Sequence, residues 1–470
     1  MSPIAPDPKP PELDHQNNHR AETSHAFPPP APEQRLDSGA ASDDSDAQSC
    51  TSASTDSTTQ YDQEPWPTFQ PKVDQLAAQL VPGTLSSAIH VERMQGGGYN
   101  RIVGLSITSP PKAPRRWTLP WFRRLLGCTP SPPASPPDIT QYILRIPRWN
   151  DSIASAAATL AFVGTQLSVP IPRVVASSDS VENALGMRYM LQPRLPGQRL
   201  DGAWPALNFA QKKCLAKQLA ELSRNLYGLT HTSCCVLGAA QGKGTSVDTV
   251  EFLTLRIPPD DTHIDPLRQI PSSLPATPQT TLEFIQQTCT RWDVYERTSC
   301  HRLTTPWPRL AALASALHAR GLLPSPSTFH FTHLDLFPRN ILIVTPSPDT
   351  VVISGVLDWD DALFAPGWAA CRMPVWLWTD DNADEVDEEQ GLRAPETEEG
   401  RVLRRVFEEG VGDEFVGYAC GRVYVLLRKV FLWMRIGLSQ QHLRREFGAV
   451  LAELEGLVGE KGGEEETGNE

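Results

Sequence analysis

The most informative part of the chain is residues 329–360, which read FHFTHLDLFPRNILIVTPSPDTVVISGVLDWD. Two apolar runs within it, 341–344 and 351–357, are separated by a polar turn that contains prolines. Two such runs joined by a short turn predict a β-hairpin. Asn340 precedes the first strand and Asp358 follows the second, and an antiparallel hairpin brings its open ends side by side. We therefore expect these two side chains to be neighbours.

The side chains around this hairpin are of the types that phosphoryl transfer needs. An amide oxygen at Asn340 and a carboxylate at Asp358 suit a hard cation such as Mg²⁺, which also takes phosphate oxygens of a substrate. Asp335, on the loop that enters the hairpin, is placed to orient an attacking hydroxyl and to accept its proton. His333 is interpreted as a brace for this catalytic loop. The alternative is a purely structural role, in which Asp335 caps a turn and Asn340 forms hydrogen bonds with backbone groups of the loop.

The order of predicted elements indicates an α+β chain in which a sheet-rich part is followed by a helical part. Strand-like stretches lie mainly between residues 88 and 192, whereas leucines at helical spacing follow residue 200. The Pro-, Ser- and Asp-rich N-terminus holds too few large apolar residues to offset the entropy of ordering. The predicted divisions are a disordered region at 1–64, a small N-lobe at 65–195 with a Pro-rich insertion at 108–138, a helical C-lobe at 196–458 and an acidic tail at 459–470.

A glycine-rich turn connects two strand-like runs of the small lobe. It consists of Gly96, Gly97 and Gly98, followed by Tyr99 and Asn100. Because glycine lets backbone N–H groups come close to a phosphate, the turn is a candidate nucleotide-binding loop. A plain hairpin turn would have the same sequence, and this alternative stays open.

The composition narrows the class of protein. The formal net charge of −13 disfavours nucleic acid as a partner, because a duplex-binding protein normally carries a basic face. The nine cysteines are scattered without a CxxC pair, so we expect reduced thiols in a cytoplasmic protein. We also expect no secretory signal and no transmembrane segment, because no suitable N-terminal pattern and no long apolar run occur.

One segment of the insertion suggests a weak peripheral membrane contact. Residues 115–126, RRWTLPWFRRLL, interleave basic and aromatic side chains, which is typical of binding to a membrane surface. A solvated loop with an apolar anchor on the body is the alternative. Pro120 favours this alternative because it interrupts a long amphipathic helix.

Together the motifs resemble those of the aminoglycoside phosphotransferase family, in its fungal-type branch of small-molecule kinases. The similarity is carried by the glycine turn, by ILRIPR at 143–148, by VPIPRV at 169–174 and above all by the segment from His333 to Asp358. It implies a bilobal protein-kinase-like fold with ATP and Mg²⁺ as cofactors. Asp335 matches the catalytic aspartate of the family, and Asn340 and Asp358 match its metal ligands. The implied reaction is transfer of the γ-phosphate to a hydroxyl group of a small molecule.

The nucleotide side of the resemblance contains a departure. The glycine turn matches the loop over the phosphates, and Met190 and Gln192 lie where the hinge offers backbone hydrogen bonds to adenine. The strand position that is usually Lys is Arg145, and the helix that should supply its Glu partner holds no acid between Asp151 and Asp179. Arg145 either meets phosphate alone or pairs with a residue that the sequence does not identify. A pseudokinase, which binds nucleotide without turnover, is therefore the alternative to an active kinase.

The acceptor is the least constrained part of the prediction. Asp360, Asp361 and the acidic run at 380–389 could attract a cationic acceptor such as an aminoglycoside or choline. A solvated acidic loop is the alternative reading of the same residues. The expected partner is thus a small molecule whose identity the sequence leaves open.

Overall fold

The computed structural model describes residues 63–94, 96–109, 138–148, 153–239, 250–258, 273–379 and 388–460. Apart from a few edge residues, the predicted disordered N-terminus, the Pro-rich insertion and the acidic tail lie outside these ranges, and so does the whole of 115–126. Within the described ranges, none of the helices is both long and apolar enough to cross a bilayer.

The N-terminal part is built on a five-stranded antiparallel sheet of order β1-β2-β3-β5-β4. The strands are β1 (Ile89–Arg93), β2 (Asn100–Ser109), β3 (Asp138–Pro147), β4 (Ala176–Ser178) and β5 (Tyr189–Pro193). Helix α1 (Trp66–Leu80) covers one face, and its Phe69 and Val73 are fully buried. The predicted hairpin across the glycine turn is confirmed, because Val91 in β1 pairs with Leu105 in β2. Helix α2 (Ala154–Gln166) follows β3.

Helices dominate the C-terminal part. They are α3 (Leu200–Ala203), α4 (Phe209–Gly228), α5 (Thr281–Thr298), α6 (Trp307–Ala319), α7 (Gly367–Ala370), α8 (Glu398–Val411), α9 (Asp413–Cys420), α10 (Arg422–Ile436) and α11 (Gln441–Glu460). Helix α4 shows why they form where they do. A capping box between Asn208 and Gln211 satisfies its first backbone N–H groups, and its leucine face is buried, as predicted from the spacing.

The C-terminal part also contains two sheets. One has the order β7-β10-β13-β8-β9, and the other has the order β12-β11-β6. The strands are β6 (Gln198–Arg199), β7 (Thr230–His231), β8 (Cys235–Ala239), β9 (Val250–Leu253), β10 (Phe329–Thr332), β11 (Ile341–Ser347), β12 (Thr350–Val356) and β13 (Leu363–Pro366). The sequence predicted only the β11–β12 hairpin among these, because most of the other strands are too short to show an alternating pattern.

The chain passes from the small sheet to the β11–β12 hairpin through a close backbone contact. Strand β6 follows β5 directly and pairs with β11, where Gln198 lies opposite Ile343. Gly197 before it has a φ of 105°, a left-handed conformation that disfavours other residues. A Cβ at Gly197 would lie 2.5 Å from the carbonyl oxygen of Ile343. The backbone therefore passes against the hairpin that carries the candidate site.

Two hydrophobic clusters underlie this architecture. One joins α1 to the first sheet around Phe69, Val103 and Leu144. The larger one includes the helices of the C-terminal part together with the inner faces of β10 to β13. The predicted α+β fold, with a sheet-rich N-lobe and a larger helical C-lobe, is confirmed.

Candidate active site

The β11–β12 hairpin brings its two open ends together. Ile341 pairs with Val356, and the backbone N–H of Leu357 donates to the carbonyl oxygen of Asn340 at 2.8 Å. Asp358 is the next residue, so the hairpin brings the backbone of Asp358 next to that of Asn340, as the sequence predicted, while the joint role of their side chains stays a prediction. A single local element thus sets the spacing of an amide and a carboxylate.

His333 fastens the catalytic loop to this hairpin. Its Nε2 donates to the carbonyl oxygen of Leu357 at 2.9 Å, and its Nδ1 accepts from the backbone N–H of Asp335 at 3.3 Å. The side chain is buried, and burial lowers the pKa of His333 below its ordinary value. A neutral imidazole that donates on one side and accepts on the other fits the bracing role that the sequence suggested.

Asp335 is held by two side chains. The amide nitrogen of Asn340 donates to its carboxylate at 2.7 Å and to its backbone carbonyl at 2.9 Å, and Arg339 Nη2 lies 2.6 Å from the other carboxylate oxygen. Burial raises the pKa of Asp335, while Arg339 and the Asn340 hydrogen bond oppose the rise. The amide nitrogen of Asn340 is only a donor and is used by Asp335, so its amide oxygen stays available as the acceptor atom that a cation would need.

Two residues of the site have a left-handed backbone although neither is glycine. Leu334, between His333 and Asp335, has a φ of 60°, and Asp358 has a φ of 61°. Such conformations cost about 1–3 kcal/mol each and concentrate at functional sites. Leu334 directly precedes the candidate base Asp335, and Asp358 lies just after the end of the second strand of the hairpin.

Arg145 has partners, and they come from the C-terminal part. Its Nη2 lies 3.1 Å from Asp358 Oδ1 and also forms a short ion pair with Asp360. The guanidinium is only 11% exposed. Burial acts to lower the pKa of Arg145, but Asp360 and Asp358 outweigh it and raise this pKa above its ordinary value. The sequence left open whether Arg145 meets phosphate alone or pairs with another residue. The structure shows that it pairs with two aspartates.

The glycine turn requires glycine at one position in particular. A Cβ on Gly96 would lie 2.5 Å from the carbonyl oxygen of Asn100, whereas nothing is within 4 Å of the corresponding point at Gly97. Arg148 fixes the turn by donating from Nε to the carbonyl oxygen of Gly97 at 2.8 Å. Tyr99 is 75% exposed and could meet a ligand or solvent.

The two candidate hinge residues differ in how much of their backbone is covered. Met190 lies opposite Arg145 in β3 and opposite Ser177 in β4, so it is inside the sheet. Gln192 pairs with β3 but has no partner residue in β4. Of the two residues, Gln192 is thus the one whose second backbone edge is not paired with β4, and the adenine contact remains a prediction.

The oxygen atoms of Asn340 and Asp358 fit a cation whose remaining ligands are water and substrate oxygens. Among the described residues, no group of three or more His, Cys, Asp or Glu is arranged to hold a metal ion. Mg²⁺ commonly uses only one or two protein carboxylates together with waters and substrate phosphates. Asn340 and Asp358 meet that requirement, provided that Asp358 is shared with Arg145.

Sequence reasoning missed two charged residues that shape the site and gave a third a different role. Arg339 stands four residues after Asp335, a helical spacing that could have indicated the ion pair. Asp360 was read as a possible acceptor contact, but it pairs with Arg145. Arg372 donates from Nη1 to the carbonyl oxygen of Leu334 at 3.3 Å, and no sequence pattern connects these two positions.

The class of protein, a phosphotransferase, is given by a family model that matches more than half of the chain. The chain belongs to the phosphotransferase enzyme family (APH), whose model matches residues 136–403.

Individual relatives match less of the chain. The subtelomeric hrmA-associated cluster protein of Aspergillus fumigatus, in two strains, is 26% identical over 137 residues. That match covers 29% of this chain and spans only 22% of the relative's length.

Solved structures of aminoglycoside phosphotransferases are also similar. ADP-bound APH(2'')-Ib is 12% identical, with 82% of this chain and 96% of that chain covered and a TM-score of 0.43. A ternary complex of APH(4)-Ia with AMP-PNP and hygromycin B is 12% identical, with coverages of 82% and 97% and a TM-score of 0.40.

Proposed function

We propose that the chain is an ATP-dependent phosphotransferase that moves the γ-phosphate to a hydroxyl group of a small molecule. The observation that carries the proposal is the contact of Asp335 with Asn340 beside Asp358 at the open end of one hairpin. Family membership supports the reaction class, and the side-chain chemistry supports the roles.

In the proposed reaction Asp335 orients the acceptor hydroxyl and takes its proton. The new bond joins the acceptor oxygen to the γ-phosphorus, the bond from that phosphorus to the β–γ bridging oxygen breaks, and ADP leaves. Asn340 and Asp358 would hold Mg²⁺, which when bound neutralises charge on the phosphates. His333 keeps Asp335 in place through the loop backbone, and Arg145 offers a cation to the phosphates.

A metabolite screen with a loop variant tests the proposal. The full chain is incubated with MgATP and a library of hydroxyl compounds, and phosphorylated products are read by mass spectrometry. Asp335→Asn is expected to lower transfer by roughly 10²–10⁴-fold, since proton transfer by a positioned base contributes about that much. Asp349→Asn is the matched control, because Asp349 is exposed in the turn at the far end of the same hairpin. Equal transfer by the two variants would refute the role of Asp335.

A nucleotide-binding module without turnover is the second candidate, and the Arg145 pair favours it. A guanidinium already bound to Asp358 competes with a metal for that carboxylate. Thermal shift with ATP, with and without Mg²⁺, followed by a sensitive hydrolysis assay separates the two candidates. Stabilisation by ATP without any Asp335-dependent turnover would favour the module, and measurable Asp335-dependent transfer would eliminate it.

A further inference from the structure

A cavity of about 140 Å³ lies directly behind the catalytic loop. Leu334 and Leu336, the two neighbours of Asp335 in the chain, both line it. Most of the remaining wall is apolar as well, and includes Phe337, Val375 and Phe407. An engineered apolar cavity of roughly 150 Å³ holds a benzene molecule, so this space is large enough for one ring or a branched aliphatic group.

The polar part of the cavity wall carries more positive than negative side chains. Arg428 forms an ion pair with Glu388 and donates hydrogen bonds to the backbone carbonyls of Trp368, Tyr418 and Ala419. Glu388 is shared, because Arg372 Nη2 lies 3.1 Å from its other oxygen. Among the described residues that line the cavity, one carboxylate therefore faces two guanidinium groups.

Arg372 retains donor capacity toward the cavity. Within the described part of the chain, its Nε is buried and has no hydrogen-bond partner. The Arg372 side chain as a whole is 33% exposed, so an incoming anionic oxygen can approach the guanidinium from the cavity. Arg372 also lies against the loop, since its Nη1 donates to the carbonyl oxygen of Leu334. A ligand oxygen bound to Arg372 would thus lie beside the loop that carries Asp335.

The described carboxylates near the site are already paired with cations of the protein. Asp360 is bound to Arg145, Asp361 forms a short ion pair with Arg435, and Glu389 lies 2.7 Å from Lys429. A polycationic acceptor would have to compete with these internal partners. The rest of the acidic run, 380–387, lies outside the described residues.

From these observations, and resting on the proposed function, we infer the class of the acceptor. The cavity takes the apolar body of the acceptor, a single ring or a branched aliphatic group. Arg372 binds an anionic oxygen of the same acceptor molecule. The acceptor is accordingly a small amphipathic hydroxy acid, and its hydroxyl is held at Asp335 for the transfer described above.

Three phenols of matched size test this class. 4-Hydroxyphenylacetate, 2-(4-hydroxyphenyl)ethanol and tyramine share one ring and carry an anion, a neutral hydroxyl and a cation. Their binding to the full chain with ADP and Mg²⁺ is measured by calorimetry or ligand-observed NMR, which needs no turnover. The acid is expected to bind roughly tenfold tighter than the alcohol, and the amine more weakly than both.

Two kinds of variant locate the binding. Arg372→Gln should lower affinity for the acid to that for the alcohol, Arg372→Lys should keep part of the preference, and Arg320→Gln, an exposed site away from the cavity, should change nothing. Ser223→Leu, which fills the cavity from α4, should weaken all three ligands. Melting curves without ligand confirm that each variant is folded.

The outcomes separate this inference from the proposed function. Tightest binding of the amine, or unchanged binding in Ser223→Leu, would overturn the acceptor class while leaving the transfer proposal intact. The expected binding order without any ATP-dependent transfer would support the cavity assignment and count against the proposed function.

Discussion

Replacing Arg145 by Met should destabilise the protein more than any surface arginine does. The guanidinium is 11% exposed and bridges Asp358 and Asp360, so its loss leaves two neighbouring carboxylates without a cation. A hydrogen bond to a charged group contributes about 1.5–3 kcal/mol. Both carboxylates are 43% exposed, and water recovers part of this energy. We expect a loss of about 2 kcal/mol in the free energy of unfolding.

Chemical unfolding followed by tryptophan fluorescence measures this loss, since the chain has 12 tryptophans. Arg194→Met is the matched control, another arginine of the N-terminal part that forms an ion pair. Arg194 pairs with Glu92 at 3.2 Å, but the two side chains are 36% and 50% exposed, so its removal should cost less than about 1 kcal/mol. Arg145→Lys should fall between the two variants, because an ammonium is a point charge without the forked geometry.

The same variants report on nucleotide binding. If Arg145 also meets phosphate, Arg145→Met should weaken ATP binding by roughly tenfold in calorimetry, whereas Arg194→Met should leave it unchanged. Equal unfolding energies for Arg145→Met and Arg194→Met would refute the inference that the buried arginine joins β3 to Asp358 and Asp360.

Three further changes have defined outcomes. Gly96→Ala should weaken ATP binding by roughly tenfold in thermal-shift titrations, because the added methyl would collide with the carbonyl oxygen of Asn100, and Gly97→Ala should weaken it less. His333→Leu should lower kcat by roughly 100-fold with little change in ATP affinity, because misplacing a catalytic group by about 1 Å costs that much. Arg428→Met should cost about 3–5 kcal/mol in chemical unfolding, since it removes one of the two arginine partners of Glu388 and leaves several buried carbonyls unpaired.

Controls make these three results interpretable. A change at Arg422, whose side chain is 40% exposed and pairs with Glu453, should cost less than about 1 kcal/mol. Equal costs at Arg422 and Arg428 would contradict the buried network. A His333→Leu variant with normal kcat, or a Gly96→Ala variant with normal ATP affinity, would show that the loop concerned tolerates the lost contact.

Local patterns sufficed for part of the fold. The β1–β2 and β11–β12 hairpins each join strands close in sequence, so apolar runs and a turn predicted them. The sheet through β7, β10, β13 and β8 was missed because its pairings are distant and short. His330, for example, lies opposite Thr230, and Phe364 lies opposite Cys235. Tertiary packing, rather than local propensity, fixes such strands.

The same distinction divides the site. The proximity of Asn340 to Asp358 follows from one hairpin and was predicted. Arg145 and Asp358 are 213 positions apart in the sequence, so no local sequence pattern predicts their pairing. The contact of Arg372 with the loop at Leu334 is likewise set by the path of the chain after β13, and only the structure reveals it.

The Arg145 pair changes how the missing helix acid should be judged. In kinase-like folds the acid serves to position a cation beside the phosphates, and a chain without it invites the pseudokinase interpretation. Here Asp358 and Asp360 position the cation instead. Because one of them is also the proposed metal ligand, metal binding and the Arg145 contact draw on the same carboxylate. By linkage, whatever free energy the arginine contact gives up when the metal binds must weaken metal affinity by the same amount. The use of Asp358 in place of the helix acid therefore predicts weaker magnesium affinity, and does not by itself predict loss of catalysis.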